Sequence, residues 1–317
     1  MECDKTLRTC DEVRINMEKK PFRSGYVALI GRPNVGKSTL LNKLLGQKVA
    51  IVSPKPQTTR HQFSGIVSTD NYQIVFLDTP GLLNPRYKLH RYMLKSALAA
   101  LEGADLVLYL IDIHDRPEDL SKKLPEQSDI IFKNKFKNKR LLAINKIDLV
   151  GKSDILPLMK TYHEQGIFDE IIPISALHNE GIDRLKEVIV DRIPYGEPFY
   201  PLDQLSDVSE RFIVSEFIRE KVFVCTQNEI PYASTVLVED FKERTNKIYI
   251  SAVIYVLKNS QKAVLIGKNG QMIRRIGAEA RQAIESFLDQ SVYLDLWVKV
   301  RKDWRKHDRD LNYFGYR

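Results

Sequence analysis

The sequence predicts an α/β domain built on a mainly parallel sheet with helices on both faces, followed by a smaller α+β domain. Three observations carry this. Short runs apolar on both faces recur between residues 26 and 175 and alternate with stretches of helical spacing. The alternation stops at a stretch holding three prolines and a glycine, 194–207. Beyond it the order becomes helix, strand, strand, helix, helix, strand. Runs buried on both faces suit a parallel sheet, whose strand–helix–strand units close as right-handed crossovers.

In chain order, residues 1–24 are polar and without period and form a leader. The runs at 26–31, 72–78, 104–112, 140–145 and 170–175 are the strands of the first domain, and 87–102, 118–133, 153–165 and 180–193 its helices. That domain is expected over 25–193, a linker over 194–207, the second domain over 208–300 and a basic, aromatic tail over 301–317. The second domain is expected to hold a helix at 208–228, a hairpin from 235–241 and 247–257, helices at 260–266 and 271–288, and a last strand at 291–300. No repeat or low-complexity tract interrupts this order. A chain of 317 residues has room for two such cores.

Composition excludes several classes. The net charge of +8 favours a polyanionic partner, nucleic acid or an anionic membrane surface. Cys3, Cys10 and Cys225 are too few and too scattered for a disulfide framework, and none has histidine at zinc-ligand spacing, so reduced thiols and a cytoplasmic setting are expected. The N-terminus has no apolar core of a secretory signal. The longest apolar run, Leu106 to Ile111, is far below the ~20 residues that span a bilayer, so any membrane contact is expected to be peripheral.

The first run leads into Gly31-Arg32-Pro33-Asn34-Val35-Gly36-Lys37-Ser38, followed by Thr39 and an expected helix. This is the G-x-x-x-x-G-K-[ST] pattern in strand–loop–helix context. Glycines let backbone N–H groups curl around phosphate oxygens, and the helix N-terminus adds partial positive charge. Lys37 is placed to reach β- and γ-phosphates and the Ser38 hydroxyl to ligate magnesium. Asp78-Thr79-Pro80-Gly81 ends the 72–78 strand, with Asp78 placed to hold magnesium and the Gly81 N–H to sense a γ-phosphate. Between the loop helix and that strand stands Pro56-Gln57-Thr58-Thr59-Arg60; a threonine there completes magnesium coordination, Thr59 being preferred to Thr58. Asn145-Lys146-Ile147-Asp148 ends another strand, where a carboxylate accepts two N–H bonds from guanine and none in the pattern adenine offers. Ser175-Ala176 ends the last, its backbone facing the guanine carbonyl. GTP or GDP with magnesium is therefore the expected ligand set.

These five elements resemble those of the translation-factor-related GTPases, over residues 25–193. The resemblance implies GTP hydrolysis, with Lys37, Thr59, Gly81 and Asn34 as the catalytic set. In relatives with a similar loop, an asparagine at the Asn34 position helps hold potassium. One departure matters: Leu82 follows Gly81 where Ras-like proteins carry a water-orienting glutamine, so slow intrinsic turnover is expected.

Val264-Leu265-Ile266-Gly267-Lys268-Asn269-Gly270-Gln271 joins two expected helices and is flanked by aliphatic residues. GxxG alone is weak; in this setting it resembles the loop of a KH domain, which clamps about four nucleotides by their backbone. Ile266, Gly267, Lys268, Asn269, Gly270, Arg274 and Arg275 are the candidate RNA contacts, with Arg281 a weaker one. The element order is that of the type II KH fold. A GTPase domain followed by such a domain is similar to the bacterial GTPases of small-subunit ribosome assembly. That similarity implies the 3′ end of 16S rRNA and the 30S subunit as partners, a monomer, and a cytoplasmic protein with room for a peripheral inner-membrane fraction. Trp304, Tyr313, Phe314 and Tyr316 in the tail suit either RNA stacking or docking of the tail by Trp304. Two other readings remain: a membrane-associated GTPase of a related family, and an RNA-binding module with little GTPase activity. Intact Lys37, Ser38, Asp78 and Asp148 weigh against the second.

Overall fold

The computed structural model describes residues 21–53, 55–81, 84–117 and 138–316. The leader up to residue 20, Leu82 and the expected helix at 118–133 lie outside them. The first sheet has six strands: β1 (Arg23–Gly31), β2 (Phe63–Ser68), β3 (Tyr72–Asp78), β4 (Leu106–Asp112), β5 (Lys139–Asn145) and β6 (Glu170–Pro173), in the order β2-β3-β1-β4-β5-β6. All pairs are parallel except β2 with β3. β2 is not among the strands expected from the sequence, and its residues show why. FSGIVS is short and holds Gly65 beneath α1 (Lys37–Leu45), where an added Cβ would stand 2.7 Å from Leu41 Cδ1.

Alternate residues of the central strands feed two cores, as a strand period of two requires. Val27 and Leu29 pack with α1 and with α4 (Ile182–Arg192). Ala28 and Ile30 pack with α2 (Lys88–Gly103) and α3 (Lys152–His163). The loops that carry GRPNVGKS, DTPG, NKID and Ser175-Ala176 leave the C-terminal ends of parallel strands, which gathers them at one edge of the sheet, and the Pro56–Arg60 loop reaches that edge from the end of α1.

The stretch 194–207 is fastened along the first sheet. Gln73 Oε1 accepts the N–H groups of Phe199 at 2.7 Å and Tyr200 at 3.0 Å. Asp207 accepts the Ser64 N–H and hydroxyl at 2.8 and 2.9 Å. A connector with this many anchors holds the domains in a defined relation rather than acting as a free tether.

The second sheet has three strands, β7 (Thr235–Arg244), β8 (Lys247–Val256) and β9 (Val292–Val300), with β7 antiparallel and β9 parallel to the central β8. Its inner face, Ile250, Ala252 and Ile254 among it, packs on α5 (Glu210–Cys225), α7 (Asn259–Ile266) and α8 (Gln271–Leu288). A short α6 (Ile230–Ala233) precedes β7. The tail folds back on the outer face: Trp304, Leu311, Phe314 and Tyr316 are buried with Leu89 and Met93 of α2, and α9 (Asp308–Tyr313) caps the cluster. Of the two readings of the tail, docking by Trp304 is the one the structure adopts. Trp304 is fully buried and donates its indole N–H to Ala233 O at 3.0 Å. No helix among the described residues is long and apolar enough to cross a membrane.

Candidate functional site

The phosphate loop turns where only glycine fits. Gly36 has φ 102°, and a Cβ there would lie 2.2 Å from Asn145 Nδ2. Its carbonyl opens α1, whose free N–H groups face the loop. Lys37 is buried; its ammonium donates to Gly31 O and Arg32 O, both at 3.0 Å. Burial pushes its pKa down to about 8, opposed by the charge of Asp78. A buried ammonium held by two carbonyls is a strong site for an anion.

Ser38, Thr59 and Asp78 come together although 19 to 40 positions separate them along the chain. Ser38 Oγ lies 3.1 Å from Thr59 Oγ1, and Asp78 Oδ2 accepts from Thr59 at 3.2 Å and from Ser38 at 3.5 Å. Asp78 is fully buried, and its Oδ1 has no hydrogen-bond partner among the described residues. Burial raises its pKa to about 6, with Lys37, Thr59 and Ser38 pulling the other way. Two hydroxyls beside an orphaned, destabilised carboxylate are the donor set of a hard divalent cation, and magnesium fits it. Thr58 is not in this group; its carbonyl accepts from Arg219 instead. Gly81 stands against the loop, its Cα so placed that a Cβ would meet Pro33 N at 3.0 Å. Thr79 is turned away, donating to Leu29 O at 2.7 Å and bracing β1 against β3.

On the base side, Asn145 ties three loops together. Its amide donates to Val35 O at 2.7 Å and its oxygen accepts the Ala176 N–H at 3.0 Å. Asp148 accepts from Ser175 Oγ at 2.5 Å. Lys146, in the left-handed region at φ 67°, joins Asn34, Lys37, Thr39 and Thr59 in lining a pocket of about 330 Å³. Two carboxylates that the sequence reading missed hold this rim. Asp112 pairs with Lys146 at 2.6 Å and Asp115 with Arg32 at 2.5 Å. Burial opposes the Asp112 charge, but Lys146 outweighs it and keeps the carboxyl below its usual range. Asp112 ends β4 as Asp78 ends β3, and that strand-end position was its visible signal.

The loop carrying Thr59 is fastened to the second domain on both sides. Arg60 donates to Ser234 O at 2.6 Å and Pro231 O at 2.8 Å. Lys55 donates to Phe223 O and Thr226 O at the C-terminal end of α5, where the helix dipole favours a cation. Lys48 pairs with Glu220 at 2.6 Å. Arg219, buried on α5, donates to Thr58 O and is paired with Glu216. Burial works against the Glu216 charge, yet Arg219 beside it holds the carboxyl below its usual range. The sequence marks none of the contacts across the domain boundary, because each joins residues more than 160 positions apart.

The GxxG loop leaves α7 at Ile266 and enters α8 at Gln271. Gly267, Asn269 and Gly270 all have positive φ, 72°, 50° and 75°. A Cβ on Gly267 would stand 2.9 Å from Met272 N, so the turn admits only glycine there. A groove of about 390 Å³ lies between α8 and β9, lined by Arg274, Gly277, Arg281, Leu294 and Leu296 and beginning one turn after the loop at Ile273. Of the candidate RNA contacts on α8, Arg274 lines this groove together with Arg281, and Arg275 does not. Positions 274 and 281 are two turns apart on one helix face, whereas Arg275 lies about 100° round and pairs with Glu279 at 2.8 Å.

This fold and these sites define a P-loop GTPase domain joined to a KH domain. A family model described as 50S ribosome-binding GTPase matches residues 26–146, and one described as KH domain matches residues 229–305. GTPase Era of Geotalea uraniireducens is 46% identical over 304 residues, covering 95% of this chain and all of the relative. A crystal structure of Aquifex aeolicus Era, in a single-residue variant bound to GDP.AlF4-, superposes with a TM-score of 0.86 at 38% identity, covering 93% of this chain and 99% of that one. A crystal structure of Era in complex with MgGDPNP and nucleotides 1506–1542 of 16S ribosomal RNA gives the same TM-score, 0.86, at 39% identity and the same coverage, 93% and 99%. The chain belongs to the Era family of GTPases, enzymes that bind and hydrolyse GTP.

Proposed function

We propose that the chain is a GTP-driven switch in assembly of the 30S ribosomal subunit, holding the 3′ end of 16S rRNA through its KH domain. The observation that carries this reading is the fastening of the Thr59 loop to α5 and α6. The loop that would sense the γ-phosphate is bound to the domain that carries GxxG, so a change at one site has a rigid path to the other. The Era relative crystallised with a 16S rRNA fragment supports the identity of the RNA.

In this reading residues 25–193 form the GTPase domain, 194–207 the connector, 208–300 the KH domain and 301–317 the tail. Lys37 and the loop N–H groups from Asn34 to Thr39 hold the phosphates, and the Gly81 N–H meets the γ-phosphate. Asp148 selects guanine by accepting two N–H bonds, each worth about 1.5–3 kcal/mol, while Asn145 and Ala176 keep the base loop in place. Ser38, Thr59 and Asp78 would hold magnesium, which supplies charge neutralisation between the β- and γ-phosphates. Leu82 offers no group to orient water, so intrinsic turnover is slow; Asn34 holding potassium beside the phosphates would replace part of the missing electrostatic help. The protein works as a cytoplasmic monomer with a peripheral inner-membrane fraction.

The test replaces Lys268 and Asn269 by aspartate in the full chain. Two carboxylates then stand where phosphates lie. Affinity for a 16S 3′-end oligonucleotide falls strongly, and the salt dependence flattens by roughly 0.7 in slope for the lost lysine contact. GTP turnover without RNA persists. Unchanged RNA affinity would reduce the GxxG loop to a helix connector.

A further inference from the structure

β9 is the edge of its sheet, so its alternate residues serve two surfaces. Leu294 and Leu296 line the groove beside α8. Tyr293, Asp295 and Trp297 belong to the opposite face, which the docked tail covers only around Val253 and Tyr255. The rest of that face carries large exposed rings, Tyr293 at 53% and Trp297 at 58% exposure. Tyr293 stacks on Tyr249, its registered neighbour on β8, with centroids 5.7 Å apart and planes 11° from parallel. Arg244 lies over Tyr249 at 5.0 Å and Lys247 over Tyr293 at 5.6 Å. Neighbouring Lys242 and Lys299 are paired with Asp240 and Glu239, but Arg244 and Lys247 have no acidic partner among the described residues. Asp295 accepts the Trp297 indole N–H at 2.8 Å, which fixes the orientation of a ring that packs against little else.

Exposed aromatic rings flanked by unpaired cations match a polymer that alternates flat bases with phosphates. We propose that this outer face of the KH sheet is a second contact for single-stranded RNA, with bases on Tyr293 and Trp297 and phosphates at Arg244 and Lys247. The strand reaches it by crossing the β9 edge from the GxxG groove, and the proposal rests on the reading of that groove as an RNA site. A KH groove takes about four nucleotides, so a fragment as long as the one bound by the Era relative must continue beyond it. Tyr293 and Trp297 lie four residues apart, about 13 Å along the strand. Sheet-face aromatics of other RNA-binding modules stack about two or three bases.

The two tryptophans allow a direct test, because Trp304 is fully buried and Trp297 is exposed. The full chain is titrated with a tetranucleotide and with a longer single-stranded oligonucleotide, both of 16S 3′-end sequence. The longer RNA quenches tryptophan emission, and the quench disappears in Trp297→Phe. Tyr293→Ala with Trp297→Ala weakens the longer RNA about tenfold or more and leaves tetranucleotide affinity and GTP turnover unchanged. If that double variant binds the longer RNA as the wild type does, while Lys268→Asp with Asn269→Asp loses it, the outer face is not an RNA contact and the groove reading stands. A double variant with normal RNA affinity that fails to join purified 30S subunits would make the face a protein-docking surface, which also overturns the proposal. Failure of the unmodified protein to bind either RNA would overturn the groove reading itself.

Discussion

Arg60 donates its guanidinium to the carbonyl of Ser234 at 2.6 Å, so the residue that follows Thr59 is anchored in the KH domain. Thr59 itself lies 3.1 Å from Ser38 and 3.2 Å from Asp78. One peptide unit therefore separates a contact at the GTP site from a contact at the domain boundary. Arg60→Met leaves the carbonyls of Ser234 and Pro231 without their charged donor, a loss of about 1.5–3 kcal/mol in the domain contact. GTP turnover drops with it, while GDP affinity is retained, because Arg60 touches neither the phosphate loop nor Asp148. Steady-state turnover and GDP titration on the same preparation check both halves.

Asp148→Asn changes nucleotide choice. The carboxylate only accepts, whereas the new amide also donates and suits the extra carbonyl of xanthine. GTP binding weakens and xanthine nucleotide binding improves, read by competition between the two. A variant that keeps full preference for GTP would remove Asp148 from the guanine site.

Much of the candidate nucleotide site was legible because it is local. GRPNVGKS, DTPG and NKID each sit on one strand end, and strand-end loops of a parallel sheet converge without further information. Two parts were not legible. β2 is short and carries Gly65 and Ser64, so it has neither the length nor the apolar run of its neighbours; it exists because β3 and α1 give it partners. The second is the boundary between domains, where Lys48, Lys55 and Arg60 look like solvated charges until the chain brings α5 and α6 beside them. Arg281 shows a finer limit: arginines two turns apart share a groove that adjacent ones cannot, and the phase of α8 against β9 decides which face that is.

Trp304 gives the tail its hold. Trp304→Ala empties a fully buried site between Ala233, Phe314, Tyr316 and α2, at a cost of about 3–5 kcal/mol. The unfolding midpoint in denaturant falls accordingly. GTP affinity is unchanged, since no residue of the phosphate loop touches the tail cluster.

Stability should depend on pH through His61. Its ring stacks on Tyr316 at 4.1 Å and meets Phe212 edge-on at 5.2 Å. Burial, with Arg219 and Arg60 against Glu216, pushes its pKa from 6.5 down to about 4. The unfolded chain therefore takes up a proton first as pH falls, so stability is lost progressively from about 6.5 towards about 4 and is complete above that window. His61→Phe keeps an aromatic ring for the stack and flattens this limb of a Tm-against-pH curve. His90, also held down to about 4 by burial and nearby arginines, adds to this slope, and Asp78, raised from 3.8 to about 6, opposes it in the same window. An unaltered curve in the variant would mean that His61 takes up its proton as readily in the folded chain as in the unfolded one.

The most direct test of the account is the affinity of the full chain for a 16S rRNA 3′-end oligonucleotide, measured with GDP and with a non-hydrolysable GTP analogue, in the wild type and in Arg60→Met. The anchored Thr59 loop predicts that the two nucleotides give different RNA affinities, that RNA shifts nucleotide affinity by the same factor, and that Arg60→Met brings the two values together. Equal RNA affinities in both nucleotide states of the wild type would contradict it: the protein would then be a GTPase and an RNA-binding domain on one chain with no switch between them.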